Sequence, residues 1–179
     1  MLSGVSATLN KVMKSLSGSQ DDVAHKRWWE IAEIVFGLPL LISIGLQFVF
    51  PLSITLDAFR LSFILLGTAF VVGGVAIVIL ARQELARRAQ PTDPGLPTTA
   101  LVTTGVFSVS RNPMYLGATC CLLGVALATS LPWELILLLP SIAACDLVLI
   151  RPEERYLDAK FAEHYRRYCD SVHRWFGRR

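Results

Sequence analysis

The chain has 179 residues, 53% of them hydrophobic and 17% charged, with a formal net charge of +3. Several apolar runs have the length that crosses a bilayer, which excludes a soluble globular domain and reads as an integral membrane protein. The four cysteines, Cys120, Cys121, Cys145 and Cys169, do not follow zinc spacing, and buried cysteine behaves as a small hydrophobe, so no metal is an expected partner.

Residues 1 to 27 are polar and Ser-rich, with Lys11, Lys14, Lys26 and Arg27 against Asp21 and Asp22. They lack the compact apolar stretch of a cleaved signal and read as a cytoplasmic lead-in. Trp28 and Trp29 mark an interfacial anchor, and the run from there to about Phe50 is long enough to span, with Glu30 and Glu33 confined to its first turns. Pro51 to Asp57 makes a short connection. Phe59 to Ala81 then forms a second run, in which Gly67, Gly73 and Gly74 predict close helix packing. A charged, proline-containing loop from Arg82 to Pro97 follows, so residues 28 to 97 make two spans and a cytoplasmic loop.

Residues 98 to 179 hold the less ordinary chemistry. The stretch Leu101 to Gly117, LVTTGVFSVSRNPMYLG, leads into a third apolar run ending near Ser130. Asn112 is a good N-cap, and Pro113 suits the first helical position, whose N–H has no intrahelical partner anyway. The free N–H groups and positive dipole end there would seat a carboxylate, or the segment is simply a well-capped helix start. Leu131 to Ile150 is a fourth run. Its connection to the third is so short that the two form a hairpin, which brings Arg111, Asn112 and Tyr115 near Arg151, Glu153 and Glu154.

The Glu153–Glu154 pair suits a cationic group, the other reading being a solvated first turn after Pro152. Asp146, a carboxylate inside an apolar run, calls for a polar cavity or a buried hydrogen bond. Further on, Leu157, Phe161, Tyr165, Tyr168, Val172 and Trp175 recur at steps of three or four and predict one amphipathic helix against the bundle or the headgroups. Sixteen of the seventeen Lys and Arg residues fall at the N-terminus, in the loop from Arg82 through Arg111 and in the tail, leaving Arg60 on the other side. Both termini are therefore expected inside. The expected fold is all-α, a polytopic membrane helical bundle of about four transmembrane spans with a cytoplasmic C-terminal amphipathic helix.

LVTTGVFSVSRNPMYLG, then a hairpin, then EERYLDAKFAEHYRRYCDSVHRW, resembles the isoprenylcysteine carboxyl methyltransferases and their relatives the phospholipid N-methyltransferases. The resemblance covers roughly Thr99 to Trp175. It implies S-adenosylmethionine bound by Ala100, Leu101, Val102, Phe107, Asn112, Met114, Tyr115 and Glu153, with Arg111, Asn112, Glu153 and Glu154 as the catalytic set. It also implies methyl transfer to a small lipophilic acceptor, an isoprenylcysteine-like carboxylate or a lipid head group, entering from the bilayer.

Three positions depart from the family's pattern. Asn112 stands where the family has His, and Phe107 where it has Tyr. Leu149 stands where the family has the Arg implied to hold a substrate carboxylate. Asp146 and Arg151 are then the expected residues on the acceptor side. An NADPH-dependent membrane reductase of related architecture and a non-catalytic membrane scaffold are the alternatives, although the short loop offers no obvious basic cluster for a 2′-phosphate beyond Arg87, Arg88 and Arg111. Membrane lipids are expected partners and nucleic acid is not.

Overall fold

The structure is a computed structural model that describes residues 32–53, 59–91 and 98–179. The lead-in 1 to 27, the Trp28–Trp29 anchor, Glu30, Asp57 and the middle of the loop, residues 92–97, lie outside the described residues. Helix α1 (Ala32–Val49) is formed by the first apolar run. Helix α2 (Arg60–Arg87) runs past the predicted end at Ala81, because Arg82 to Arg87 are mostly strong helix formers and Glu84 among them is buried. A 3-10 turn, Gly105–Ser108, precedes helix α3 (Pro113–Ala128), which starts at the proline as predicted.

The second half of the hairpin is longer than its apolar run. Helix α4 (Pro132–Ala144), a π-helical segment (Cys145–Ile150) and helix α5 (Arg151–Phe161) form one continuous 30-residue helix. Pro152 has no N–H to give and would ordinarily interrupt such a ladder. Here the preceding turn is widened instead, with the Arg151 N–H donated to the Asp146 carbonyl five residues back.

Helix α6 (Glu163–Ser171) follows a sharp turn at Ala162, where φ is 44°. The single amphipathic helix predicted through Trp175 is thus two helices and a looped strap, residues 172–179, that turns back on itself through an antiparallel Val172–Arg178 bridge. Positive φ on a non-glycine residue costs of order 1–3 kcal/mol. Burial of Tyr165, Tyr168 and Val172, packed with Leu101, Leu157 and Phe161, offsets that cost.

The molecule is an all-helical bundle. Helices α1, α2 and Pro132–Phe161 are long and apolar enough to cross a membrane, and α3 is shorter. At about 1.5 Å per residue the 16 residues of α3 reach about 24 Å, against a hydrocarbon core of about 30 Å. Leu41, Phe48, Leu61, Leu65 and Val72 point outward, as lipid-facing side chains do. Inside, Phe36 of α1 packs on Cys145, Leu149 and Ile150, with Tyr115, Leu122 and Trp175 around them.

Small residues lock α2 to α3. A Cβ on Gly67 would stand 2.5 Å from the Gly124 carbonyl oxygen, and one on Gly74 would stand 2.5 Å from that of Gly117. The two backbones touch where only hydrogen fits. This contact holds the start of α3 beside the last turns of α2.

Candidate functional site

The hairpin returns its acidic end to the start of α3, as its short connection predicts. Arg111 Nη1 lies 3.1 Å from Glu154 Oε1, and the Tyr115 hydroxyl donates to Glu153 Oε2 at 3.3 Å. The neighbouring glutamates have different surroundings. Glu154 is also gripped by Arg174, whose Nε and Nη2 reach its two oxygens at 3.0 and 2.6 Å. Glu153 is half-buried and has no cationic partner among the described residues. The Arg111 side chain is 10% exposed and spends Nη1 on Glu154, on Cys169 Sγ at 2.6 Å and on the Tyr165 hydroxyl at 3.4 Å. Its Nε is buried without a partner.

Asp146 accepts from Arg174 Nη1 at 2.9 Å and from Arg151 Nε at 2.8 Å. Two guanidinium groups therefore balance this carboxylate. Leu149 is fully buried in the apolar cluster around Phe36. Arg174 is the residue that sequence reasoning missed. No periodicity singles it out, because it acts from the strap beyond the last helix. Its hydrogen bonds to Glu154, and then the charge of Asp146, hold its guanidinium protonated even above its usual range.

The strap also changes the part Asn112 plays. The Asn112 carbonyl accepts the Leu116 N–H at 3.0 Å, as an N-cap residue's does, but its side chain does not cap the helix. Instead Asn112 Nδ2 donates to the Arg174 carbonyl at 3.1 Å, and Ser110 Oγ accepts the Asn112 N–H at 3.1 Å. The physical reason is the strap itself, which lies across this corner. The Arg111 N–H donates to the His173 carbonyl at 3.2 Å and the Gly177 N–H to the Val109 carbonyl at 2.7 Å.

The remaining expected contacts lie along the loop before α3. Val102 is buried, Met114 is half-buried, and Leu101 packs on Tyr165, Tyr168 and Val172. Ala100 is exposed, with its N–H given to Gln90 Oε1 at 3.0 Å. The Phe107 carbonyl accepts the Tyr168 hydroxyl at 2.6 Å. Burial pushes the Tyr165 and Tyr168 phenols above the usual tyrosine range, so both stay protonated. An open cleft of about 610 Å³ is lined by Leu101, Thr103, Phe161, His164, Arg167, Tyr168 and Ser171. Of the expected cofactor residues, Leu101 alone borders it. The structure thus groups Arg111, Asn112, Tyr115, Glu153 and Glu154 with Arg174 at the mouth of the hairpin, and it sets Ala100 apart beside the end of α2.

Residues 62–164 match the pattern of the family described as phospholipid methyltransferase, from α2 into the first turn of α6. No curated protein and no solved structure matches the chain.

Proposed function

The chain belongs to the phospholipid methyltransferase family, and on that premise we propose that it moves a methyl group from S-adenosylmethionine to a small lipid-like acceptor at the cytoplasmic membrane surface. The observation that carries this reading is a pair of unspent groups in an otherwise balanced cluster. Arg111 Nε is a buried donor without an acceptor, and Glu153 is the carboxylate without a cation. The amino-acid end of S-adenosylmethionine has one carboxylate and one ammonium, which such a donor and such an acid complement.

In this reading Glu153 takes the ammonium, and Tyr115 orients Glu153 through its hydroxyl. Glu154, fixed between Arg111 and Arg174, holds the Arg111 guanidinium in place, and Asn112 ties the strap over this corner. Leu101, Val102, Phe107 and Met114 offer apolar and aromatic walls for an adenine. The bound cofactor supplies a methyl group on a positively charged sulfur. The chain's residues then have little acid–base work to do, because orientation provides most of the effect when the acceptor is already an anion or a free amine.

The acceptor is proposed to enter from the bilayer and to meet Asp146 and Arg151, where the apolar run gives way to α5. Leu149 is fully buried, which supports an acceptor not held by a salt bridge at that position. Residues 98–179 act as the catalytic half in this proposal. Titration calorimetry of the detergent-solubilised protein tests it, with saturable heat expected for S-adenosylmethionine and none for NADPH. Binding of NADPH alone would overturn it in favour of the reductase reading.

A further inference from the structure

Just beyond the last turn of α2 lies a side chain that the site described so far does not use. Gln90 is 7% exposed, and its amide is spent on one short segment. Its Oε1 accepts the N–H groups of Thr99 at 2.8 Å and Ala100 at 3.0 Å. Its Nε2 donates to Thr99 Oγ1 at 2.9 Å and to the Arg88 carbonyl at 3.0 Å.

The anchor behind this clamp is rigid. Ala89 has φ of 52°, the Ala89 N–H goes to the Ala86 carbonyl and the Gln90 N–H to the Leu85 carbonyl. This is the double bond of a Schellman helix stop, so the backbone of Gln90 is fixed by α2 itself. A second hold lies a few residues on, where Thr104 donates its hydroxyl to the buried Glu84 and accepts from Arg88 Nη2 at 3.0 Å. The loop carrying Ala100, Leu101 and Val102 is thus tied to the end of α2 at both ends. The buried Gln90 amide is costly to leave unpaired.

We propose that Gln90 is a positioning residue for the cofactor, acting through the backbone of Thr99 and Ala100 to set Ala100, Leu101 and Val102 against it. The inference rests on the function proposed above. Gln90 touches neither the acceptor-side pair Asp146 and Arg151 nor Glu153, so its effect falls on one ligand.

The test uses the full-length protein in detergent with wild type, Gln90→Leu and Gln90→Glu, reading S-adenosylmethionine affinity by calorimetry, acceptor KM, kcat at saturating cofactor and melting temperature. Gln90→Leu keeps the bulk and loses every hydrogen bond, so cofactor affinity falls about tenfold or more while acceptor KM and kcat stay within about twofold. Gln90→Glu keeps the oxygen that accepts both the Thr99 and Ala100 N–H groups and recovers most of the affinity. If Gln90→Leu does not fold, Gln90→Asn, one methylene too short to reach, replaces it in the same comparison. Failure of the wild type to bind S-adenosylmethionine overturns the proposed function. A wild type that binds beside a Gln90 variant with equal affinity overturns this inference alone, as does a parallel loss in acceptor KM or an absence of rescue by Gln90→Glu.

Discussion

Glu153 and Glu154 show how neighbouring identical residues come to different uses. Glu154 is committed to two guanidinium groups, while Glu153 accepts from one phenol and has no cation beside it among the described residues. Replacing Glu153 by Gln removes the carboxylate proposed to take the cofactor ammonium, and a charge-assisted hydrogen bond contributes about 1.5–3 kcal/mol, so cofactor affinity falls roughly tenfold to a hundredfold in calorimetry. Tyr115→Phe costs about 0.5–1.5 kcal/mol by the same measurement, since it removes one neutral donor. Unchanged affinity in both variants would move the site elsewhere. A second buried acid behaves differently. Glu134 of α4 is 0% exposed and neither of its oxygens has a hydrogen-bond partner, and the buried Ser43 gives its hydroxyl to the Leu40 carbonyl. Burying an ionisable group without a partner is costly, so Glu134→Gln, which keeps the shape and cannot ionise, raises the melting temperature in detergent. A fall of several degrees would show that the acid has a use of its own.

Helices α2 and α3 meet through glycine, and their contact sets where the loop between them can lie. Gly74 has no room for a Cβ against Gly117 and Cys121, whereas a Cβ on the adjacent Gly73 would meet nothing within 4 Å. Gly74→Ala must therefore push the helices apart, at a cost of about 1–3 kcal/mol, while Gly73→Ala is neutral or slightly stabilising through helix propensity. Thermal unfolding of the two variants side by side checks this. Equal melting temperatures would mean that the helix pair has slack. The same contact bears on function, because Glu84 and Gln90 lie in and just beyond the end of α2 while Arg111, Asn112 and Tyr115 lie just before and in the start of α3.

At the scale of the whole molecule, the strap 172–179 joins the end of the chain to the loop before α3. His173, Arg174 and Gly177 all bond to Val109, Arg111 or Asn112, so the C-terminus and that loop share one side of the membrane. We propose that this side is the cytoplasm, on the distribution of Lys and Arg. Reporter fusions after Arg179 and within residues 92–97 are expected to read as cytoplasmic, and one inserted at Ser130 as lying on the far side. A C-terminus on the far side would separate Arg174 from the cytoplasm and overturn the proposed cofactor entry.

Much of this protein was legible in its residues because the relevant quantities are local. Run length identified the apolar helices, the Asn112-Pro113 pair marked the start of α3, and the short connection at Ser130 to Pro132 was enough to bring Arg111 and Tyr115 back to Glu153 and Glu154. Other features depend on side chains that meet across long separations with no periodic signal. Arg174 reaches Glu154 and Asp146 from a bend in the C-terminal strap, and Gln90 clamps Ala100 across a loop. The division of the tail at Ala162 and the continuation of α2 to Arg87 are tertiary outcomes too, since each follows from what buries Tyr165 and Tyr168 in one case and Glu84 in the other. Hydrophobic spacing determined that the chain is a membrane bundle with its polar residues gathered at one mouth. Only packing decided which of those charges cancel and which stay free, because pairing depends on distance in space rather than position in the chain.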